Sequence, residues 1–456
     1  MMGNYKKVKI KTRKLKKFVL LLIFSFTLYV ISNLVLISPN LQNIPFAAAQ
    51  PTRSEIRGVW MTNNDLNIMR DRRKLNDSLT QLKRLNFNTI YPVVWNSGYA
   101  MYPSATAQKI GIQNFLFKGT QGQDILADVI AQAHSQGLLV IPWFEFGFMA
   151  PTTSELAVNR KNWLTVKRDR GLNSINEDGE VVWLNPFHPE VQEFITNLVL
   201  EVVSNYDVDG IQFDDHMSLP KEFGYDDYTI NLYRKEALLK NQACALSRRR
   251  IASKPKLLPK VVSQAKDSKP IPQPSPQNCL IIPTEPSINA DDPNWVKWRA
   301  NKITEFMVRL NKVVKQKNPK AIFSVSPNYF DFAYKEQLQD WVAWVRQDIV
   351  DELIVQAYRP DLQGFLNLIN RPEIETTRQK TLTGIAVLSG LRTNPAPIRQ
   401  IQLQVQAVKE RNLGLSFFYF SSLWNYGPEP IAERQTQFRS FLSSPIRNND
   451  FGPLIN

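Results

Sequence analysis

Residues 206–217 read YDVDGIQFDDHM, a short apolar run that closes on two aspartates and a histidine. Carboxylates at the end of a strand can do acid–base or nucleophilic work, or join an imidazole around a metal ion; the polar edge of a loop has the same composition. Side-chain alternation along a strand distinguishes the members of the group. Ile211 and Phe213 share one face, suited to packing beneath helices, and Gln212 and Asp214 share the other. Asp214 is therefore expected to look into the interior, with Asp215 on the opposite side or in the loop as an orienting neighbour, and His216 returning towards the interior. The run LLVIPWFEFGF (138–148) gives a matching pattern, with Ile141, Trp143 and Glu145 on one face. Glu145, flanked by Trp143, Phe144 and Phe146, is expected to be partly stripped of water, which suits a proton donor. Asp331 is a reserve candidate for the acid.

These residues need a scaffold that gathers strand ends. From Glu55 onward, short β-branched or aromatic runs alternate with amphipathic stretches of helical length. Strands are expected at 55–61, 88–95, 138–146, 209–214, 321–327, 351–358, 382–389 and 413–420, with helices at 71–86, 122–137, 189–205, 294–317, 334–348 and 395–411. Strand–helix alternation implies a parallel sheet, and eight such runs fit a (β/α)8 TIM barrel over 53–445 better than an open sheet. The first strand is not followed by the GxGxxG of a dinucleotide-binding sheet. Barrel enzymes work at the C-terminal ends of their strands. The residues expected there, besides the carboxylates, are Asn63, Trp95, Asn96, Trp143, His216, Asn328, Gln356, Tyr358 and Trp424. Amides, a phenol and indoles around one mouth suit a polyhydroxylated ligand. Two carboxylates on adjacent strands can cleave a glycosidic bond, one protonating the leaving oxygen, the role expected of Glu145, while the other attacks or steadies the anomeric carbon, the role expected of the inward-facing Asp214.

The stretches EIRGVWMTN, LNFNTIYPVVWNSGYAMYPS, GLLVIPWFEF, WLNPFHPEVQEFI, YDVDGIQFDDH and SVSPN together resemble the glycosyl hydrolase-like family 10 of exported bacterial proteins. The resemblance covers roughly residues 53–425 without the insertion described below. It implies a TIM barrel and glycosidase-type activity on cell-wall or other polysaccharide. By motif, Asp214 and Asp215 match the acidic pair of strand four and Glu145 the acid of strand three. His216 departs from the pattern, standing where many relatives are expected to carry an aromatic residue.

Composition narrows the alternatives. The chain of 456 residues carries a formal charge of +15, but the excess is local. Residues 1–17 hold eight Lys and Arg with no acids, residues 234–269 hold eleven against two acids, and the remainder is close to neutral. A nucleic-acid enzyme would carry its charge on the body, so no nucleic-acid partner is expected. The basic N-terminus precedes an apolar run from Phe18 to Ile37 and then Ala47-Ala48-Ala49. Residues 1–50 are read as an export signal or, uncleaved, a membrane anchor, which gives an exported, cell-envelope or secreted location. Residues 246–290, rich in Pro, Ser and Lys, are expected to form a flexible basic insertion between strands 4 and 5, and 446–456 a tail. Cys244 and Cys279 could close one disulfide or stay as thiols.

No cofactor and no metal are expected. A metal-dependent polysaccharide deacetylase would need imidazoles converging on FDDH, and the other histidines, His134 and His188, sit mid-helix and at a helix start. A barrel that binds cell-envelope glycan without cleaving it is the other alternative.

Overall fold

The computed structural model describes residues 53–113, 122–176, 179–252, 282–287 and 289–443. The expectations for residues 1–50, for 253–281 of the insertion and for the 446–456 tail lie outside them. Eight strands form the barrel: β1 (Arg57–Met61), β2 (Thr89–Asn96), β3 in two pieces (Leu139–Val140 and Trp143–Phe144), β4 (Gly210–Asp214), β5 (Ile322–Ser326), β6 (Glu352–Gln356), β7 (Leu382–Leu388) and β8 (Gly414–Phe418). Each runs parallel to the next, and β8 pairs back onto β1, so no edge is left open. All eight fall on the expected apolar runs. The break in β3 falls at Ile141–Pro142, where proline has no N–H to give the ladder.

Helices cover the outside because their apolar residues recur every three or four positions. In helix Pro189–Asn205, Val191, Phe194, Ile195, Leu198, Val199 and Val202 are buried, and Pro189 occupies its first turn. Asp71, Asp124 and Asp292 each cap a following helix by accepting backbone N–H bonds. The single helix expected over 334–348 is two, Phe330–Lys335 and Trp341–Arg346. Leu338 between them has φ +53, and Asp340 caps the second by accepting from Ala343 N, so the chain restarts rather than continuing. The insertion begins later than its composition implies: residues up to 252 extend helix Asp227–Ala252, whose end LSRRRIA is mostly Leu, Arg and Ala, good helix formers. Beyond 281 the chain returns to that helix, where Asn241 exchanges two hydrogen bonds with the Ile282 backbone and Arg234 pairs with Glu285. Cys244 is disulfide-bonded.

An antiparallel three-stranded sheet between β3 and β4 was not foreseen; Met149–Pro151 pairs with Gly179–Trp183, which pairs with Asn173–Asn176. Among the described residues, no helix is long and apolar enough to cross a membrane.

The barrel interior carries a continuous polar chain. Trp60 Nε1 donates to Gln212 Oε1 (2.6 Å), Gln212 Nε2 to Ser324 Oγ (2.9 Å), and Ser324 Oγ to Glu352 Oε1 (2.7 Å). Tyr91 also donates to Glu352, and Arg53 is ion-paired with it. Such buried groups are tolerable because each finds a partner. The chain fixes Gln212, two residues before Asp214, and so anchors β4 from beneath the mouth.

At the opposite, N-terminal end, His134 Nε2 lies 2.9 Å from Asp209 Oδ2, which also accepts Val140 N at 2.7 Å. The hydrogen bond to Asp209 raises the imidazole pKa above its ordinary value. A histidine pKa raised by folding stabilises the native state fully below about 6.5, and that contribution is lost as pH rises through the folded value. His134→Gln should therefore cost stability at pH 5.5 but little at pH 9. With the side chain 30% exposed, screening keeps the difference to roughly 1 kcal/mol or less. Urea melts of both proteins at the two pH values check this; a cost that is the same at both would count against it.

Candidate active site

Three carboxylates meet at the C-terminal mouth. Asp214 ends β4 and points inward, as the alternation requires: Phe213 packs outward against Phe144 and Phe323 (ring centroids 5.5 and 5.3 Å), while Gln212 and Asp214 bond to interior indoles. Asp214 is 3% exposed. Its Oδ2 accepts Trp143 Nε1 (3.0 Å) and its Oδ1 the backbone N of His216 (2.9 Å), with His216 Nδ1 at 3.3 Å. Burial pushes the Asp214 carboxyl up to about 6; His216 opposes the rise and the neighbouring Asp215 charge adds to it.

Asp215 is the more open of the pair. Asn328 Nδ2, just beyond β5, donates to Oδ2 (2.8 Å), and Gln356 Nε2, at the end of β6, donates to Oδ1 (2.9 Å). The two amides hold the carboxylate plane across two neighbouring strands. Glu145 follows β3 and is half-buried; Asn96, at the end of β2, donates to its Oε2. Tyr358 follows β6, and its phenol pKa is raised well above the usual range, first by burial and then by the charges of Asp215, Asp214 and Glu145. One phenol thus senses all three acids. Beneath them lies an aromatic floor in which Trp143 packs on Trp60 (6.3 Å) and on Phe418 (6.2 Å), and Tyr358 packs on Phe418 (5.5 Å).

The loops after β3 and β4 are bound to each other. His216 Nδ1 lies 2.9 Å from the carbonyl oxygen of Glu145, and Phe148 N donates to the carbonyl of His216 (3.1 Å). The His216 ring stacks on Phe146 (6.0 Å, 27°) and packs beside Trp183 (6.3 Å).

The structure therefore brings together Glu145, Asp214, Asp215, Asn96, Trp143, His216, Asn328, Gln356 and Tyr358. It does not bring in three others. Trp95 is 1% exposed and packs edge-on against Phe194 of the outer helix (5.6 Å), because a register shift in β2 between Val93 and Trp95 turns the indole away from the interior face that Tyr91 occupies. Trp424 is buried against Phe420 and Phe438 and serves the core. Asn63 is exposed in the turn beyond β1 and makes no hydrogen bond to the carboxylates among the described residues. Asp331, the reserve acid, is ion-paired with Arg371 and lies 3.7 Å from Lys335; the Arg371 hydrogen bond holds its carboxyl below the usual range, the wrong direction for a proton donor.

Two contributors were missed. Trp183, against His216, comes from the unforeseen sheet, although it opens the WLNP motif. Gln339 donates to the Asp214 carbonyl (2.8 Å) from the break between the two helices, which a single helix over 334–348 concealed.

Asp214, Asp215 and His216 offer ligand atoms within 4.8 Å of one another, as a cation site would require. His216 Nδ1, however, is turned to the Glu145 carbonyl and to Asp214. The other two imidazoles are elsewhere: His134 bonds Asp209 at the far end of the barrel, and His188 precedes helix Pro189–Asn205 beside Tyr228 (4.9 Å). The converging imidazoles of a deacetylase-type centre are not assembled among the described residues.

A closed (β/α)8 barrel with acids, amides and indoles at its C-terminal mouth is the arrangement on which glycosidase-like proteins are built. The chain belongs to the Glycosyl hydrolase-like 10 family, whose model matches residues 55–275 and 282–407. It is 27% identical over 202 residues to Glycosyl hydrolase DigH of Escherichia coli (strain K12), covering 40% of this chain and 46% of that protein. It is 23% identical over 200 residues to Glycosyl hydrolase YngK of Bacillus subtilis (strain 168), covering 38% and 35%. The matched region thus spans less than half the length of these curated relatives. Among solved structures it resembles the PgaB (BpsB) glycoside hydrolase domain of Bordetella bronchiseptica, with a TM-score of 0.54, 13% identity and coverage of 83% of this chain and 98% of that one. It also resembles the catalytic domain of β-amylase from Paenibacillus polymyxa, with a TM-score of 0.52, 11% identity and coverage of 84% and 96%. At these identities the structural likeness is one of fold.

Proposed function

We propose that this chain is an exported glycoside hydrolase that cleaves a polysaccharide, with cell-envelope glycan as the substrate class. The observation that carries this reading is the gathering of Glu145, Asp214 and Asp215 at the barrel mouth, with His216 bonded to the Glu145 carbonyl and beside Asp214, and amides from the ends of β2, β5 and β6 on the Glu145 and Asp215 carboxylates. Glu145 gives its proton to the leaving glycosidic oxygen as the bond to the anomeric carbon breaks. A second carboxylate meets that carbon or activates the water that attacks it, and water supplies the new hydroxyl and returns the proton. The alternation reading gave the second role to Asp214. Asp215 is the better placed for it, being more open and held by two amides, while the buried Asp214 acts as a positioning residue between Trp143 and His216.

The test is reducing-end release from purified envelope glycans and a polysaccharide panel, with and without chelator. Release that persists in chelator and is lost in Asp215→Asn supports the reading. Saturable binding without release points instead to a non-catalytic glycan-binding barrel. Activity that follows added metal and survives Asp215→Asn would remove the mechanism. The proposed export rests on the basic and apolar stretches within residues 1–50. Cell fractionation of the full chain and of a chain lacking those residues should find the first in the envelope or medium and the second in the cytoplasm.

A further inference from the structure

The rim formed by the loops after β5 and β6 carries a cation, Arg359, that is set on an aromatic ring and, among the described residues, on no acid. Arg359 directly follows Tyr358 and is half-buried. Its backbone carbonyl is held by Gln404 Nε2 (2.9 Å) and Gln400 Nε2 (3.3 Å) from helix Ile398–Lys409, so its attachment point is rigid. Its guanidinium donates to the Tyr358 carbonyl (2.9 Å) and lies 5.4 Å from the centre of the Tyr329 ring. The Arg371 guanidinium lies 5.1 Å from the same ring. Arg371 is neutralised by Asp331, which Lys335 also approaches, leaving the cluster of three cations and one acid with positive charge in excess. Among the described residues Arg359 has no carboxylate within ion-pair distance. One carbonyl and a ring face engage only part of a guanidinium's five N–H donors, which leaves the rest for a ligand. Guanidinium forks bind planar oxyanions in bidentate fashion.

Its position indicates what such an oxyanion belongs to. Tyr329 follows Asn328, which holds one oxygen of Asp215, and Gln356, three residues before Arg359, holds the other. Arg359 thus belongs to the same rim loops as the amides that hold Asp215 but is outside that ring of partners, on the edge that a neighbouring unit of a bound polymer would cross. We propose that Arg359, set on Tyr329 and backed by Arg371, forms a subsite for an anionic substituent, a carboxylate or a sulfate ester, on a sugar adjoining the one cleaved. This rests on the glycosidase reading and specifies its substrate as a charged polysaccharide.

Binding measured without turnover tests the subsite separately from the chemistry. Dissociation constants are taken by calorimetry for polygalacturonate and hyaluronan against their carboxyl-reduced forms, and for chondroitin sulfate against its desulfated form. The wild type should prefer at least one charged polymer over its neutral partner by about tenfold, the scale of one charge-assisted contact. The pair that shows the preference identifies carboxylate or sulfate. Arg359→Gln should lose most of that preference with its melting temperature unchanged, and Arg359→Lys should keep part of it. Equal affinities in every pair, no binding to any charged member, or a preference intact in Arg359→Gln would each overturn the subsite. Charge-selective binding without reducing-end release would leave the subsite standing and count against hydrolysis; release without charge preference would do the reverse.

Discussion

Asp215→Asn should lower kcat for glycan cleavage by about 10³-fold while leaving the fold intact, and Glu145→Gln should lower it by about 10²- to 10⁴-fold. The two losses arise differently. Asn at 215 keeps the volume and can still bond one of the amides of Asn328 and Gln356, but it presents a neutral amide where positive charge develops at the anomeric carbon. Gln at 145 still meets Asn96 but has no proton to give. A substrate whose leaving group needs no protonation separates them: Glu145→Gln should recover most of its bond-breaking rate on an aryl glycoside with an acidic phenol, and Asp215→Asn should not. If Asp215→Asn instead retained a tenth of the activity while Asp214→Asn lost a thousandfold, the assignment of the two aspartates would be reversed.

Asp214 sets a pH dependence of its own. Its carboxyl is pushed up to about 6 by burial, so the native state favours the protonated form relative to the unfolded chain. A carboxyl raised by folding gives stability that is greatest below about 3.8 and is lost as pH rises through about 6. Asp214→Asn should therefore remove one step near pH 6 from the pH dependence of stability. Asp65, buried and also near 6 where it bridges the turn after β1 to Ser421, should keep a second. Urea melts across pH 4–8 would show the change, and identical pH profiles in the two proteins would rule it out.

The barrel was legible because period-two alternation and apolar runs are local signals, and each strand here carries its own. The inward face of β4 followed from the same rule: Gln212 and Asp214 inside, Phe213 outside. Exposure was not legible, because it depends on what other strands bring. Asp214 is covered by an indole from β3, whereas the Asp215 carboxylate is held by amides following β5 and ending β6. Trp95 was misplaced because one irregular step in β2 inverts every later side chain, and nothing in VVWNSG marks that step. Trp183 and Gln339 were hidden by elements whose extents were not foreseen.

The tightest joint in the site is between backbones, at Gly147. It has φ +46, and a Cβ there would lie 2.3 Å from the carbonyl oxygen of His216 and 2.8 Å from Met217 N, atoms that cannot rotate away. Its own carbonyl accepts Trp95 Nε1 at 3.2 Å, which gives the misplaced tryptophan its function: it holds this crossing from the outside. Gly147→Ala must separate the loop that carries Glu145 from the loop that carries Asp215. A shift of about 1 Å in reacting groups costs on the order of 10²-fold in rate, and forcing the crossing apart costs about 2–4 kcal/mol in stability. The variant should melt several degrees lower and, where still folded, cleave about 10²-fold more slowly. Gly179→Ala is the control, since that glycine also has positive φ (+97) but nothing lies within 4 Å of the added carbon, so it should pay the backbone strain and keep its rate. Equal losses of activity in the two variants would trace the effect to glycine conformation in general, whereas a loss confined to Gly147→Ala would show that the proposed acid and its partner carboxylate are positioned by contact between their two loops.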